Sequence, residues 1–543
     1  MTFPLHAPGG DMPGSGGISI FRADPQQAGF QAIEDLASAY WLSEALFAAV
    51  EIGLFGLLEP DGGTINGISR ALGMREEALS RLLRCLCSIG LVCEGPGKNG
   101  YYFNSALASR YLVAGKEDYQ GDSVLWRREL RRYWAGLKDR LVARKKTSSD
   151  DNDAPDSDHE CERIQKYIRA MDSAARVKAK EILPVLGSFP LEGEVLDAGA
   201  GSGAIAAALL ERSPALRATL MDISQVIGVT GRMMSERGFK KSTAEGPGGR
   251  INLCAANILE EWPFDDNRFS LVILSNIIHA YSEKELPHIL ANAARCLAGD
   301  GLLLVHDFFS EHHPVKASLF DLNMLINTYN GRVFTVGEVK DGLVRLGLSC
   351  TGLIPLESDT AIVAASKDPM PLSKLRVDRV ARLAADIRQL GFRSVSPIRP
   401  EDVRIPGWTA LKCRYGCDNF NKKPHCPPNA PAHEETLRLI SGCSKALLLE
   451  GEPPARDFQM NVLKAEREAF AGGFYKAFSY WAGPCSICPD CPGGACKNPR
   501  DARPSMEGAG IDVFETVRRS GIGLKTLSGR DEFVKYFALL LLE

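Results

Sequence analysis

One short segment constrains the fold of this chain more than any other. Residues 195–203 read Val-Leu-Asp-Ala-Gly-Ala-Gly-Ser-Gly, and they join a stretch that predicts a strand to an alanine-rich stretch that predicts a helix. Glycines at such a junction allow a tight turn and a close approach to a ligand. The segment therefore predicts the first unit of a parallel sheet that binds a nucleotide-like ligand at its carboxyl edge.

The sequence between residues 191 and 366 extends this pattern. Short apolar stretches alternate with helical ones, which is typical of a parallel sheet covered by helices. We predict an α/β domain, Rossmann-like and doubly wound. Its expected strands are EVLDAG, RATLMD, INLCAAN, FSLVILSN, GLLLVHDF and TAIVAAS.

Two acidic residues bear on the nature of the ligand. The turn has the spacing GxGxG rather than GxGxxG, and Asp197 stands two positions before the first glycine, where it would repel a pyrophosphate. Asp222 ends the next expected strand, where a carboxylate can accept hydrogen bonds from ribose hydroxyls. The pattern favours a cationic ligand without phosphate. The candidate binding residues are Asp197, Gly199, Gly201, Gly203, Asp222, Asn257 and Ser275.

The chain has 543 residues, too many for one hydrophobic core. Before the α/β domain we expect a mainly helical winged-helix domain, because two helices around Gly73 are followed by a hairpin-like segment. After it we expect an α+β cysteine-rich domain. The full division is a flexible lead at 1–29, the winged-helix domain at 30–115, a helical connector at 116–190 with a disordered loop at 145–160, the α/β domain at 191–366 and the cysteine-rich domain at 376–543.

Winged helices often bind DNA, but this one favours self-association. Its expected recognition helix offers only Arg81 and Arg84 as exposed cations, and the helices before it are apolar on too many faces for a monomer. The formal net charge of −3 gives no electrostatic footprint for a polyanion. We predict a homodimer and no nucleic-acid partner.

The chain also lacks the patterns of a membrane or secreted protein. Its first residues have no basic region followed by an apolar one, and no run of eighteen uncharged apolar residues occurs. We predict no membrane partner and a cytoplasmic location. In a reducing compartment the fifteen cysteines indicate packing or metal ligation rather than disulfides.

Residues 30–366 resemble the class I methyltransferases of the plant caffeate and acetylserotonin O-methyltransferase type. The resemblance is carried by VLDAGAGSG, by ALRATLMDISQVI and by NIIHAYSEKELPHILANAARCLAGDGLLLVHDF, in the family's order. It implies S-adenosyl-L-methionine as the methyl donor and a small-molecule hydroxyl as the acceptor. It also implies that the winged-helix domain dimerises.

His279 follows the expected strand FSLVILSN, at the edge where such sheets bind ligands. An imidazole there can take a proton from a hydroxyl, although from the residues alone such a histidine is more often a hydrogen-bonded structural residue. The resemblance places His279 at the family's general base and Asp307 at the acid that orients it. His306 should point to the opposite face from Asp307 and is interpreted as structural.

In one place the chain departs from the family. A further family acid would fall within residues 331–335, where this sequence has Val333, and that difference weakens a simple transfer of the plant mechanism. We expect Phe320–Tyr329 and the region around Met171 to line the acceptor pocket.

Seven cysteines crowd into two stretches after residue 410. Their close spacing, interrupted by Pro and Gly, allows thiolates to converge on one centre. The region from Arg382 to Glu543 also resembles a family of cysteine-rich predicted metal-binding domains. We predict an iron–sulfur cluster in preference to zinc, because a tetrahedral zinc site would use four thiolates and leave three unexplained. The expected ligands are Cys413, Cys417, Cys426, Cys485, Cys488, Cys491 and Cys496.

Two other functions remain open at the level of sequence. The chain could be a metal- or redox-responsive winged-helix regulator whose α/β domain is a ligand sensor. It could also methylate nitrogen, sulfur or carbon, because the donor site is common to all these reactions. The sequence specifies neither the acceptor molecule nor a role for the cysteine-rich domain in the reaction.

Overall fold

The structure is a computed structural model that describes residue 26 and residues 29–95, 100–142, 157–242, 249–489, 491, 493–529 and 531–543. Most of the expected flexible lead at 1–29 and of the expected loop at 145–160 lies outside these residues. The chain divides into two compact units, Met1–Arg131 and Arg132–Glu543, and each is described by itself.

The first unit is a winged helix. The hydroxyl of Thr64 caps the helix Ile65–Leu72 by accepting from the amide of Gly67 at 3.1 Å. That helix ends at Gly73, whose backbone is in the left-handed region. Apolar side chains of the helices, including Leu79, Leu83 and Leu86, form its core. Its three strands pair in the order β1-β3-β2. The elements are α1 (Phe30–Ser38), α2 (Tyr40–Glu51), α3 (Leu54–Leu57), β1 (Gly63–Thr64), α4 (Ile65–Leu72), α5 (Glu76–Ser88), β2 (Val92–Glu94), β3 (Tyr101–Asn104), α6 (Ala106–Tyr111) and α7 (Gly121–Ala135), which continues into the second unit.

The second unit begins with the predicted α/β domain. The expected strands all form, and the helices between them cover both faces of one sheet. The elements are α8 (Leu137–Val142), α9 (Ser157–Val185), β4 (Gly193–Ala198), α10 (Ala204–Arg212), β5 (Leu216–Asp222), α11 (Ser224–Glu236), β6 (Ile251–Ala255), β7 (Phe269–Ser275), α12 (Leu286–Cys296), β8 (Leu297–Asp307), α13 (Pro314–Asn327), α14 (Val336–Arg345), β9 (Ser349–Cys350), β10 (Ile354–Pro355), β11 (Ala361–Ser366) and α15 (Met370–Ser373).

The strands pair in the order β6-β5-β4-β7-β8-β11-β10, and β9 also pairs with β11. Strands β4 to β8 are mutually parallel, whereas β9, β10 and β11 join antiparallel. The chain winds outward from β4 in one direction and from β7 in the other. The two strands therefore flank the topological switch point, where open α/β sheets bind their ligands.

Helix α9 lies against the ligand-binding end of this domain. It begins at Ser157, so residues 157–160 are helical rather than part of the expected loop. Asp172 of α9 forms an ion pair with Arg237, and Arg237 Nη1 also donates to the Ser202 carbonyl at 2.9 Å. Arg237 thereby ties α9 to the glycine turn.

The cysteine-rich region forms the predicted α+β domain. Its antiparallel sheet has the order β12-β13-β15-β14. Leu447 and Leu449 of the second strand belong to one core and Leu448 to another, so the sheet is buried on both faces. The elements are α16 (Arg379–Arg388), β12 (Ser394–Ile398), α17 (Thr409–Gly416), α18 (His433–Ser441), β13 (Ala446–Gly451), α19 (Ala455–Ala471), β14 (Phe478–Tyr480), α20 (Val513–Arg519) and β15 (Tyr536–Leu541).

These features confirm the predicted fold class of all three regions. The most apolar stretch of the tail, Tyr536–Leu541, is the buried strand β15. Among the described helices, none is long and apolar enough to cross a membrane.

The segment between the α/β and cysteine-rich domains is fixed to the end of α9. The Ser188 amide donates to the Lys374 carbonyl, and the Arg376 amide donates to the Val185 carbonyl, both at 2.9 Å. Gly187 makes this approach possible, because its φ is +55° and an added Cβ would lie 2.4 Å from the Lys374 oxygen. The connection is therefore packed against the α/β domain rather than extended.

We expect Gly187→Ala to lower the free energy of unfolding by about 2–3 kcal/mol, since it adds a clash to backbone strain. Gly347→Ala is the matched control, because Gly347 also has a positive φ, +79°, but an added Cβ would meet nothing within 4 Å. The free energy of unfolding of this control should fall by only about 1 kcal/mol. Urea unfolding followed by tryptophan fluorescence measures both. Equal losses would contradict the close packing at Gly187.

Candidate active site and cysteine cavity

The glycine turn leads from β4 into α10 with its glycines in the left-handed region. Gly199 has φ +81°, and an added Cβ would lie 2.7 Å from Cγ1 of Ile277. Gly201 has φ +53°, and the direction of its missing side chain is open, with nothing within 4 Å. The turn thus exposes backbone on its open side, as a ligand-binding turn requires. Gly203 caps α10.

Two carboxyl groups lie together at this edge. Asp197 is only 2% exposed, and its Oδ2 has no hydrogen-bond partner among the described residues. Burial raises the pKa of Asp197 to about 7, and the nearby Asp222 carboxylate adds to the rise. Asp222 accepts from the amides of Gly201 at 2.9 Å and Ile223 at 2.8 Å. A cationic ligand would offset the cost of keeping both groups ionised.

Two other predicted binding residues already have partners. Asn257 follows β6 and is exposed, and its Oδ1 accepts from the Leu259 amide at 3.1 Å, so it closes its own turn. Ser275 ends β7, and its hydroxyl lies 2.8 Å from Nδ1 of His306. The structure therefore places both residues at the carboxyl edge, where each already has a hydrogen-bond contact within the protein.

His279 and Asp307 form a close pair. Nδ1 of His279 lies 2.6 Å from Oδ1 of Asp307, and the His279 amide donates to Oδ2 at 3.3 Å. Asp307 is fully buried and also accepts from the Phe308 amide at 2.8 Å. A carboxylate on Nδ1 favours the tautomer with its proton there, which leaves Nε2 as the nitrogen able to accept a proton.

Aromatic rings surround this histidine. Phe308 and Phe320 stack with centroids 3.8 Å apart, and the His279 ring meets the Phe320 ring edge to face at 4.9 Å. Phe320 belongs to α13, the helix expected to line the acceptor pocket, whereas Met171 is a partly buried residue of α9. The rings restrict the orientation of the imidazole and make its surroundings apolar.

His306 and Val333 have structural positions. His306 is fully buried, and its Nε2 lies 2.8 Å from the hydroxyl of Thr360. Burial lowers the pKa of His306 to about 3, so the ring is neutral. Val333 is also buried, and its amide donates to Oδ1 of Asp321 at 2.7 Å.

Two residues near the site lack an obvious signal in the sequence. Burial raises the pKa of Tyr281 to about 12, and the charges of Asp222 and Glu285 act in the same direction, so this phenol stays protonated near Asp222. Asn276 has φ +51°, and its buried Oδ1 has no hydrogen-bond partner among the described residues. A positive φ directly after a strand could have drawn attention to Asn276 only once the backbone was known.

The second group of cysteines, from Cys485 to Cys496, lines one cavity in the C-terminal domain. Its walls also include His425, whose Nε2 is buried without a hydrogen-bond partner in the described structure. Lys423 and Asn498 lie at the same cavity, and Asn498 Nδ2 is 3.0 Å from the sulfur of Cys488. The cavity-lining residues with potential metal donors are His425, Cys485, Cys488, Cys491 and Cys496.

The first group of cysteines, from Cys413 to Cys426, comes near the second through Cys426. Burial raises the pKa of Cys426 to about 11, and the thiols of Cys417, Cys413 and Cys485 contribute to the rise. Cys426 is therefore close enough to both groups to be affected by their charges, although the groups are separated by almost sixty residues of sequence.

This donor set fits a thiophilic metal in its chemistry. Sulfur donors and an orphaned imidazole nitrogen are the ligands that zinc and iron prefer. Within the described ranges, however, no three His, Cys, Asp or Glu side chains converge closely enough to hold one ion. The structure therefore gives the cavity and its donors rather than a formed coordination sphere.

Three regions of the chain match known families. Residues 34–114 match the O-methyltransferase dimerisation domain, and residues 195–301 match a methyltransferase domain. Residues 396–542 match a family described as predicted metal-binding protein (DUF2284). The family matches thus follow the winged helix, the α/β sheet and the cysteine-rich domain in turn.

Similar proteins include 3-hydroxy-5-methyl-1-naphthoate 3-O-methyltransferase of Streptomyces sahachiroi, which is 28% identical over 326 residues, covering 58% of this chain and 89% of that protein. Acetylserotonin O-methyltransferase of Bos taurus is 27% identical over 329 residues, covering 58% and 90%. The structure of human N-acetylserotonin methyltransferase in complex with SAM has a TM-score of 0.53 at 21% identity, covering 64% of this chain and 99% of that one. At that identity the likeness shows a shared fold.

The glycine turn at the switch point and the domain matches define an S-adenosylmethionine-dependent methyltransferase with a dimerisation domain. More particularly, the relatives of residues 30–366 include O-methyltransferases, among them acetylserotonin O-methyltransferase, and residues 396–542 add a domain of the predicted metal-binding family.

We expect affinity for S-adenosylmethionine to depend on pH through Asp197. Because its pKa is raised to about 7, the carboxyl is largely neutral at pH 6 and ionised at pH 8, and a cation favours the ionised form. The wild-type affinity, relative to that of Asp197→Asn, should rise up to about tenfold from pH 6 to pH 8. Calorimetry at both pH values measures it.

The exposed Asp300 supplies a control, because Asp300→Asn removes the same charge away from the turn. This variant should keep the wild-type pH dependence. A constant affinity ratio between wild-type and Asp197→Asn at pH 6 and pH 8 would show that Asp197 does not contact the ligand's charge.

Proposed function

We propose that this protein transfers a methyl group to a hydroxyl oxygen of a small molecule, with His279 as the general base. The observation that carries the proposal is the 2.6 Å contact between His279 Nδ1 and the buried Asp307 carboxylate, at the carboxyl edge of the sheet. A hydroxyl is a poor nucleophile until it loses its proton, so an oriented base favours an oxygen acceptor. The relatives named for 3-O- and acetylserotonin O-methylation support the same acceptor class.

The donor would be held by the glycine turn and the acids beside it. Backbone at Gly199, Gly201 and Gly203 allows close approach, while Asp197 and Asp222 attract positive charge. Asn257 and Ser275 complete the proposed set through the groups not used in their local contacts. When bound, S-adenosylmethionine supplies an electrophilic methyl group on a cationic sulfur.

His279 acts on the acceptor. As the acceptor oxygen forms its bond to the methyl carbon, the bond from that carbon to the donor sulfur would break and leave a neutral thioether, and the hydroxyl proton would pass to Nε2 of His279. Asp307 holds Nδ1 and stabilises the resulting imidazolium. The stacked rings of Phe308 and Phe320 limit water around the imidazole and give an acceptor an apolar surface to pack against.

We expect His279→Ala to lower kcat by a factor of about 100 to 10,000 at saturating S-adenosylmethionine, because it removes the group that accepts the proton. Donor affinity should stay within a factor of about two, since the turn is intact. Single-turnover methyl transfer to a phenol panel, with calorimetry for donor binding, measures both quantities.

His288 provides the matched control, because it is an exposed histidine of α12 away from the Asp307 carboxylate. His288→Ala should transfer methyl groups at the wild-type rate. Undiminished turnover in His279→Ala would remove the general-base assignment and leave the fold intact.

We further propose that the C-terminal cavity holds an iron–sulfur cluster rather than zinc. Four cysteines line the cavity, and Cys426 lies near one of them, Cys485, which is more sulfur than one tetrahedral zinc site uses. The buried Nε2 of His425 adds an unpartnered donor on the same wall. Such a centre is suited to the reducing cytoplasm, where we place the protein.

We expect protein purified without oxygen to contain iron and acid-labile sulfide, and Cys488→Ser to lose most of both, because a thiolate ligand is removed. Cys443→Ser is the control, since that thiol donates to the Leu439 carbonyl outside the cavity. Iron, zinc and sulfide analysis measures the content. One equivalent of zinc without sulfide would end the cluster proposal.

A homodimer is the proposed assembly. The first two helices expose several large apolar side chains, and α1 has no buried residue. This surface begins directly before residues 34–114, which match the dimerisation domain, and continues into them. The exposed set is Phe30, Ile33, Leu36, Tyr40 and Trp41.

A further inference from the structure

The loop that carries the first cysteine of the cavity is held by a single buried side chain. Gln459 of α19 is fully buried, and its Nε2 donates to the carbonyls of Ala482 and Pro484, both at 3.1 Å. Its Oε1 accepts from the amide of Ser486 at 2.9 Å and from the hydroxyl of Ser486 at 2.8 Å. Both donors and both acceptor positions of the Gln459 amide are thus occupied by residues of one five-residue loop, 482–486.

The peptide groups on both sides of Cys485 are fixed by these bonds. The carbonyl of Pro484 and the amide of Ser486 belong to the peptide units that enter and leave Cys485. The carbonyl of Cys485 itself accepts from Nζ of Lys423 at 3.0 Å. The backbone of Cys485 is therefore restrained in three places, which sets where its thiol can point.

The helix that carries Gln459 is packed into a hydrophobic core. Phe458, Val462 and Leu463 of α19 belong to the core between this helix and the sheet. Cys485 and Ile487 pack against the same core. A side chain on such a packed element can hold a ligand more accurately than one on a loop.

We propose that Gln459 is a positioning residue of the metal centre, which fixes Cys485 as the pre-set ligand around which the centre forms. The proposal rests on the proposed function of the cavity as a metal site. The chemistry is that of an outer-shell contact: Gln459 touches no metal, but it limits the positions of a thiolate that does. If Gln459 only stabilised the loop, any other interaction that kept the loop folded could replace it.

The decisive variant is Gln459→Glu, which keeps the size of the side chain but replaces two donors with an acceptor facing two carbonyls. In anaerobically purified full-length protein, we expect it to lose metal to a chelator about 10- to 100-fold faster than wild type, and its absorption and EPR spectra to change. Gln389→Glu is the control, because Gln389 is exposed at the end of α16. It should behave as wild type.

Ser486→Ala gives a milder second test if Gln459→Glu does not fold. It removes one hydrogen bond and keeps the bond from the Ser486 amide, so metal loss should accelerate less, in the same direction. Wild-type loss rates and spectra in both variants would overturn the proposal.

A measurement on metal-free protein separates this proposal from the metal proposal. Without metal, a restrained Cys485 should react slowly with iodoacetamide, and Gln459→Glu should raise its labelling rate several-fold, as read by peptide mass spectrometry. If wild-type protein never binds iron or zinc but this labelling difference is found, only the metal proposal fails. If metal binds and the variant changes neither labelling nor metal loss, the role of Gln459 fails.

Discussion

The parallel pairing of β4 with β5 on one side and β7 on the other decides where the chemistry of this protein lies. Parallel strands bring their carboxyl ends to one edge, and the chain leaves β4 and β7 in opposite directions, so a crevice opens there. Asp197 and Asp222 come from adjacent strands at this edge. Their burial makes two negative charges costly, and a cationic ligand would offset this cost.

The register between β7 and β8 sets the other half of the site. Ser275 pairs with His306, so the next residue, Asp307, lies opposite the turn that carries His279. Because side chains alternate along a strand, a shift of one residue would exchange the faces of His306 and Asp307. The partly buried contact between Ser275 and His306 stabilises the register that brings His279 and Asp307 together.

The cysteine-rich domain is organised differently, but it is not separate from the methyltransferase core. Its sheet is antiparallel and carries none of the cavity cysteines, which lie in irregular segments held by side-chain hydrogen bonds. Helix α16 joins the two domains, because Ala385 packs into the core of the α/β sheet while Leu383 and Ile387 pack into the core of the antiparallel one.

The sequence by itself determined the local elements of this protein. Apolar runs predicted the strands, glycine spacing predicted the turn, and cysteine spacing predicted clustered metal donors, because each is a pattern within about a dozen neighbouring residues. It did not show that Asn257 and Ser275 have structural contacts or that α9 begins at Ser157. Tertiary structure alone decided the pairs His279 with Asp307, Ser275 with His306 and Gln459 with Ser486, which are 28, 31 and 27 residues apart. Such contacts depend on sheet register and helix packing, and no local periodicity records them.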